Sequence, residues 1–514
     1  MRPKKRPNTA CSECSFGAGS IDFAIHHQIL YNLSIVKFIT NEDHRVMPTA
    51  TQSYDVIVIG GRPAGATLAA RLGLAGVRVL LIDRSPFPSL PPVSSPIIYP
   101  CTMALLDEIG AIEGEYAYQT AKIRKVVTEA GEKYRGVGTI PTDRGRDYAY
   151  AVDRARFDAT MWSTAAALPT VTALSEFSAV EVLWDGDRVI GIMGKPKGGE
   201  AQPYYADLVV GADGRSSWLA RKVSATEYNV HDGKPVTYYY AYWKNVDPYD
   251  IDEPLLLTHG NLEGFGYLIM DSADGSKAIT LGGYSSTFES IDHTDVTDLY
   301  LKVLQRAPRI WERLTHAERI GDVRGLKNVP NFYRHPYGAG WALVGDAAHH
   351  KDPLGGQGIY DAVFGARAFA EQYLAYRGGV AWETAMNTYK TNLEAETLTY
   401  YRNTLAGTDN YGQSLALVQM LGRYACENPE FINRMLSVPA RTIDPAKVAD
   451  PGLVGKTIAT GVVRDVRRRL TGAPSPAAVP PLPGGDEKRI QNVGCLGWMV
   501  LLPALVWLNG GRKG

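Results

Sequence analysis

The chain has 514 residues, enough for a cofactor domain and a substrate domain with separate cores. Apolar residues make up 45% and charged residues 21%, a balance that excludes the disordered and fibrous classes. Lys+Arg and Asp+Glu both number 54, and a net charge of zero lacks the basic footprint of a nucleic-acid binder, so no such partner is expected.

Residues 1–50 read as an extension. They open on Arg2, Lys4, Lys5 and Arg6 and show no sustained period. A targeting sequence, a disordered arm, or translation begun upstream of Met47 would each give this composition. No apolar run follows the basic residues, as a secretory signal requires. The cysteines Cys11, Cys14, Cys101, Cys426 and Cys495 are an odd, scattered set, which suits a reducing, cytoplasmic setting rather than a disulfide framework. Cys11 and Cys14 have no second ligand pair nearby, and no metal site is expected.

The body begins near Tyr54. Val56–Ile59 is a continuous apolar run, the mark of a parallel strand buried on both faces. A glycine turn follows, Gly60-Gly61-Arg62-Pro63-Ala64-Gly65, and then a helical pattern with Leu68, Leu72 and Ala75 on one side. Gly76 is placed to stop that helix. Val77 to Ile82 is a second buried strand ending at Asp83, so the whole is the size of one βαβ unit, about 30 residues. Such a turn lets backbone N–H groups meet a pyrophosphate at a helix start. Gly60 serves the turn and Gly65 the close packing of helix on strand. Arg62 stands where the usual pattern has its middle glycine; it needs an allowed φ and brings a cation toward the anion. Asp83, at the end of the second strand, is where an acid accepts from an adenosine ribose. The degenerate glycine turn alone would suit other α/β proteins; the acid at the strand end favours a dinucleotide.

Two further strand-then-turn units follow. One is Leu208–Val210 leading into Gly211-Ala212-Asp213-Gly214-Arg215-Ser216-Ser217; alone, its Asp-Gly pair is a common turn. The other is Ala342–Val344 leading into Gly345-Asp346-Ala347-Ala348-His349, continued by Asp352-Pro353-Leu354-Gly355-Gly356-Gln357-Gly358 and a helix from Ile359. The carboxylate there suits sugar-like hydroxyls, and the helix start offers N–H groups to an electron-rich partner. Between the two units, residues 231–320 change character. Thr237–Trp243, Gly264–Met270 and Ala278–Tyr284 read as strands, with Asp274-Gly275 as a hairpin turn. Tyr238, Tyr240 and Tyr242 share one face by period two and Tyr239 and Trp243 the other; one of these faces is expected to line a substrate cavity. From about residue 360 to 440 the pattern is helical. Ala473–Pro483 is a Pro-rich linker, and Val493–Leu508 is a sixteen-residue apolar run broken by Pro503. A spanning helix wants roughly 20 apolar residues, so a packed or interfacial segment, in peripheral contact with a membrane, competes with an anchor.

These three motifs, in this order and spacing, resemble those of FAD-dependent monooxygenases related to para-hydroxybenzoate hydroxylase, the class A flavoproteins. The resemblance covers about residues 54–400. Val152-Asp153-Arg154-Ala155-Arg156-Phe157-Asp158 also resembles the family's Arg-containing helix start. The implied fold is α/β: a discontinuous Rossmann-like FAD domain at 51–230 and 321–385, an inserted antiparallel substrate domain at 231–320, and C-terminal helices at 386–472, followed by the linker and tail at 473–514. The resemblance implies that Gly60, Gly61, Ala64 and Gly65 cradle the pyrophosphate and that Asp83 binds ribose. Arg154 would lie near the phosphate or ribityl region, Asp213 in the FAD environment, and Asp346, after Gly345, on the ribityl chain. Pro353, Gly355, Gly356, Gln357 and Gly358 would face the isoalloxazine ring. The family's arginine after the second strand is missing from Ser94–Tyr99; Arg84 is a substitute or simply an exposed charge. His349, His350 and Tyr240 are candidates for acid–base work.

The implied activity is oxygen insertion into an aromatic or unsaturated small molecule, with NAD(P)H and O2 as co-substrates. A reductase of isoprenoid-like substrates shares these motifs, and a non-catalytic escort built on the same fold is a further alternative. The Trp-x-Trp-x-Ile-Pro string of flavin-dependent halogenases is absent, since no two tryptophans are separated by one residue.

Overall fold

The computed structural model describes residues 53–479 apart from 90–94, 131–133, 263, 409–421, 449, 473, 474 and 476. The expected extension at 1–50 and the apolar run at 493–508 lie outside the described residues.

In chain order the elements that position the site begin with β1 (Ser53–Ile59), α1 (Pro63–Leu74) and β2 (Val79–Ile82). Next come β3 (Lys125–Ala130), β4 (Tyr134–Thr139), α2 (Arg154–Ala166) and β5 (Val171–Leu174). A hairpin, β6 (Phe177–Asp185) and β7 (Arg188–Pro196), leads to β8 (Gln202–Gly211). The second sheet adds β9 (Val236–Lys244), β10 (Leu255–Leu262), β11 (Phe265–Asp271), β12 (Lys277–Tyr284) and β13 (Glu318–Leu326). The chain then returns through β14 (Trp341–Leu343) to α3 (Gly358–Arg377), α4 (Trp382–Thr408), α5 (Pro429–Leu436) and α6 (Pro451–Thr471).

The first sheet has the parallel order β5-β2-β1-β8-β14, with Tyr337–Gly338 on the β14 edge and β7 antiparallel to β8. This is a Rossmann-like arrangement. β2 is buried along its whole length and β1 from Tyr54 onward, as expected for strands covered on both faces. Helix α1 starts on Pro63, whose missing N–H costs nothing at that position. Gly60 has φ +102°, and a Cβ there would meet the Ala212 carbonyl at 2.5 Å. A Cβ on Gly65 would lie 1.7 Å from the Gly60 carbonyl oxygen, so only glycine lets α1 close onto β1.

The second sheet has the order β13-β9-β12-β11-β10-β3-β4. The strands expected from the sequence are present, and the turn between β11 and β12 has Asp274 at φ +57° and Gly275 at φ +70°, the signs of a type I′ hairpin. The sheet is not confined to 231–320, and it is not wholly antiparallel. β3 and β4 join it from far upstream, and β3 runs parallel to β10, with Lys125 level with Leu255. Pairing there covers the β10 edge that a separate insertion would leave open. Helices Val296–Leu304 and Pro308–Arg313 contribute to the core on one face of the sheet, where Tyr239, Trp243, Tyr300 and Ile310 are buried together. Tyr238 and Tyr240 therefore point from the opposite face.

The contrast between Gly65 and Gly358 makes a test of the α1 contact. Gly65→Ala must push the Gly60 carbonyl aside and is expected to destabilise by roughly 3 kcal/mol or more. Gly358→Ala meets nothing within 4 Å and is expected to leave stability within about 1 kcal/mol of the native chain. Urea unfolding midpoints check both; equal midpoints would refute the close-approach account.

Candidate functional site

The three motifs open side by side because their strands are neighbours. Together with Asp83 after β2, they line one cleft of about 840 Å³. Gly60, Arg62, Pro63 and Ala64 come from the first turn, Arg154 from α2, Asp213 to Ser216 from the second, and Asp346, Gly358 and Ile359 from the third region. A smaller cavity of about 130 Å³ lies against the sheet face that carries Tyr238 and Tyr240. Cleft and cavity share Arg215, Asp346, Gly358 and Ile359 as common wall.

The expected residues divide by position. Gly60, Ala64, Asp83, Arg84, Arg154, Asp213, Asp346 and Gly358 line the cleft. Gly61 and Gly65 are not among its lining residues. A Cβ on Gly61 would run into the Trp162 ring at 2.3 Å, and its N–H donates to Asp83 Oδ2 at 2.8 Å. Gly345 packs on Ala64, where a Cβ would fall 2.6 Å from the alanine methyl. Pro353 lines the inner cavity, while Gly355, Gly356 and Gln357 line neither space. Gln357 is buried; its amide donates to the Val438 carbonyl at 3.2 Å and its oxygen accepts from Lys351 at 3.2 Å. It ties the third loop to the C-terminal region.

Arg62 has φ −87°, an ordinary value, so the residue in the middle-glycine position is unstrained. Its guanidinium donates to Asp158 Oδ2 at 2.6 Å and to the Ser89 carbonyl at 3.2 Å, and lies over the Phe87 ring. Arg154 binds the same carboxylate at 2.9 Å. Two guanidiniums thus meet on one buried carboxylate beside the α1 start. Arg84 is exposed at the cleft edge. Asp213 Oδ2 accepts from the N–H of Trp218 at 2.6 Å, whereas its buried Oδ1 has no hydrogen-bond partner. Burial raises the Asp213 pKa.

His349 is enclosed by the rings of Tyr333 and Tyr401, with centroids 4.2 and 5.7 Å away. Burial drives its pKa down to about 3, which favours the neutral ring near pH 7. His350 Nδ1 lies 2.6 Å from the Pro330 carbonyl. A carbonyl only accepts, so Nδ1 carries the hydrogen; burial lowers this pKa too. Tyr240 lines the cavity, and burial raises its pKa.

Two groups that the sequence did not single out, Lys351 and Asp361, line the cavity beside Tyr238. Lys351, a wall residue, donates to Asp361 and Gln357, and Asp361 also pairs with Arg441, which lies between the rings of Tyr360 and Tyr400. Burial opposes the charge on Asp361, but Lys351 and Arg441 outweigh it and its pKa falls. Tyr238 faces Gly282 across the β9–β12 pair, and Gly282 faces Gly266 on β11, so small residues leave the space in front of its ring. Its hydroxyl donates to Asp352 Oδ1 at 2.5 Å, which also accepts from the Leu354 N–H at 2.9 Å. Asp352 Oδ2 is buried without a hydrogen-bond partner, and burial pushes the carboxyl up to about 7. The period-two tyrosines pointed to Tyr238, but nothing in the sequence joined it to an aspartate 114 residues away.

The donor set fits a dinucleotide. Both α1 and α3 begin without a side-chain cap, which leaves N–H groups free for an electron-rich partner where they meet the cleft. Gly358 presents bare backbone to it, and the orphaned Asp213 oxygen is an acceptor awaiting a donor.

Fold and site together define an FAD-dependent oxidoreductase. The chain belongs to the FAD binding domain family, which matches residues 53–398 and holds the flavin monooxygenases resembling para-hydroxybenzoate hydroxylase together with halogenases. It is 24% identical over 346 residues to the 1H-pyrrole-2-carbonyl-(peptidyl-carrier protein) chlorinase of Pseudomonas fluorescens, covering 61% of this chain and 74% of that one. It is 26% identical over 316 residues to the digeranylgeranylglycerophospholipid reductase of Methanococcus aeolicus, covering 60% and 73%. The fold matches that of PqsL, described as a probable FAD-dependent monooxygenase from Pseudomonas aeruginosa, with TM-score 0.57 and 17% identity over 70% of this chain and 98% of that one. Halogenases thus stand among the relatives although the tryptophan string is absent. No helix among the described residues is long and apolar enough to cross a membrane.

The state of Asp352 has a stability signature. The folded carboxyl keeps its proton up to about pH 7, while an unfolded one loses it near about 4. Its contribution is therefore present below about pH 4 and declines as pH rises through about 7. Asp352→Asn removes that decline, so the thermal midpoint of the variant relative to the native chain is expected to gain a few degrees between about pH 5 and pH 8. A constant offset over that interval would refute the raised pKa.

Proposed function

We propose that the protein is an NAD(P)H- and O2-dependent monooxygenase acting on a small aromatic or unsaturated molecule. The observation that carries this reading is the inner cavity, which shares a wall with the cofactor cleft and has a tyrosine hydroxyl bonded to a buried carboxyl. At about 130 Å³ it is close to the cavity size that holds one benzene ring.

In this reading Gly60, Ala64, Arg62 and Arg154 hold the pyrophosphate side of FAD, Asp83 the ribose, Asp213 and Asp346 the ribityl side, and Pro353 and Gly358 border the ring. Bound FAD would supply hydride acceptance from NAD(P)H and the activation of O2. The chain's own residues do the rest. Leu268, Met270, Leu326 and Ile359 keep water from the substrate ring. Tyr238 Oη accepts a proton from a substrate hydroxyl while its own hydrogen passes to Asp352 Oδ1, leaving the substrate more electron-rich. The step needs Asp352 ionised.

A second reading, halogenation, is favoured by the likeness to the chlorinase, and the same proton step would serve it. A panel of phenols and polyenes, incubated with NADH or NADPH under air, under nitrogen, and with added bromide, separates the readings by product mass. A gain of one oxygen under air alone supports oxygen insertion. A brominated product supports the second reading, and a gain of two hydrogens under nitrogen would overturn both in favour of reduction.

With the substrate so found, Tyr238→Phe is expected to lower kcat roughly 10²-fold. The native rate is expected to rise with pH through about 7, as Asp352 ionises, and Asp352→Asn to flatten that limb. Stopped-flow turnover checks both; an unchanged pH profile in Asp352→Asn would remove the carboxyl from the proton path.

A further inference from the structure

Helix α6 has two unlike faces. Leu453, Thr457 and Gly461, at i, i+4 and i+8, are buried, and Gly461 lies against the Tyr424 ring. The outward face carries Val463, Val466 and Leu470, at 67%, 54% and 81% exposure, with Val462 beside them at 45%. Leu470 is more exposed than any other large apolar residue among those described. At 100° per residue these four side chains fall within one arc of about 100°, with Arg467 on one flank and Arg469 on the other.

The arginines of this helix are not equivalent. Arg464 and Arg468 turn inward to Glu427, and Arg468 also reaches Asp465. Arg467 and Arg469 are exposed and have no acidic partner among the described residues. Lys456, about two turns up the same face, meets the exposed Glu430. An apolar stripe alone would suit a second protein chain, but a stripe with solvated arginines along both margins fits an anionic surface. Arginine stems can lie along the apolar stripe while their heads reach phosphates.

The course of the chain after α6 fits as well. Gly472 closes the helix in the left-handed region, and the Ala477 carbonyl accepts from the Arg135 N–H at 2.7 Å, which fixes where the chain leaves the body near α6. The apolar run Val493–Leu508, with Trp498 and Trp507, begins only 14 residues beyond Val479. Tryptophan is a residue of membrane interfaces.

We propose that the outward face of α6 docks on an anionic lipid surface, with Val463, Val466 and Leu470 in the acyl boundary and Arg467 and Arg469 at the level of the headgroup phosphates. This seats the enzyme peripherally and does not depend on which reaction the inner cavity supports.

Flotation of the full-length holoenzyme with vesicles tests it. One set is phosphatidylcholine alone and the other phosphatidylcholine mixed with phosphatidylserine. Binding is expected to the mixed vesicles only and to weaken with salt. Arg467→Gln and Arg469→Gln are each expected to weaken it about fivefold. The double variant Val463→Asp/Leu470→Asp is expected to lose at least tenfold, with its flavin absorbance and thermal midpoint unchanged, since both side chains face solvent. A chain truncated after residue 483 isolates the helix and is expected to retain charge-dependent binding. Equal binding to both vesicle types, or loss of all binding on that truncation with the helix variants unaffected, would overturn the proposal. So would a native dimer that the double variant converts to a monomer without any vesicle binding in either, because the face would then belong to a second copy.

Discussion

Ile59 stands level with Ile82 on one side and with Gly211 on the other, and Gly211 stands level with Leu343. This shared register of four parallel strand ends is the constraint on which the site depends. It delivers Gly60, Asp83, Asp213 and Asp346 to one edge of one sheet, and so into one cleft. A slip of one residue in any pair would turn that strand's side chains to the wrong face and carry its loop out of line. The glycines then act by contact more than by flexibility. Gly65 admits the Gly60 carbonyl and Gly345 admits Ala64, so the first and third turns are pressed together as one body.

That local chemistry is what the sequence displays. The βαβ unit, the three turns and the hairpin at Asp274-Gly275 are each specified within a few residues, and they were legible for that reason. The pairings that finish the site are not local. Arg62 meets Asp158 across 96 positions, Arg441 meets Asp361 across 80, and Tyr238 meets Asp352 across 114. Period two divided the tyrosines of β9 into two faces, but only the burial of Tyr239 with Tyr300 and Ile310 decides which face is left for the cavity. The same limit hid β3, whose partner β10 lies about 130 residues downstream. The rings of Tyr333 and Tyr401 that enclose His349 are likewise brought in from other elements.

Each end of the site has a carboxylate shared by two cations. Near α1, Arg62 and Arg154 share the Asp158 carboxylate at the wall of the cleft. The side chain at the middle-glycine position thus turns back to Asp158 and Ser89 with an ordinary φ, so a bulky residue is tolerated there. At the cavity, Lys351 and Arg441 share Asp361, and Glu396 also pairs with Arg441. These ion pairs hold the α3 start and the C-terminal region together.

Asp352 and Asp361 lie nine residues apart on one loop-and-helix segment and are driven to opposite states. Asp361, gripped by two cations, is held as a carboxylate. Among the described residues the Asp352 carboxyl meets a hydroxyl and a single backbone N–H, and burial raises its pKa to about 7. Environments that push like groups apart in this way assign them different work. The pKa of Asp361 is lowered and that of His349 falls to about 3, whereas that of Asp352 rises to about 7. The bond between Tyr238 Oη and Asp352 Oδ1 thus sets a titratable carboxyl behind the cavity wall, beside the space that Gly266 and Gly282 leave open.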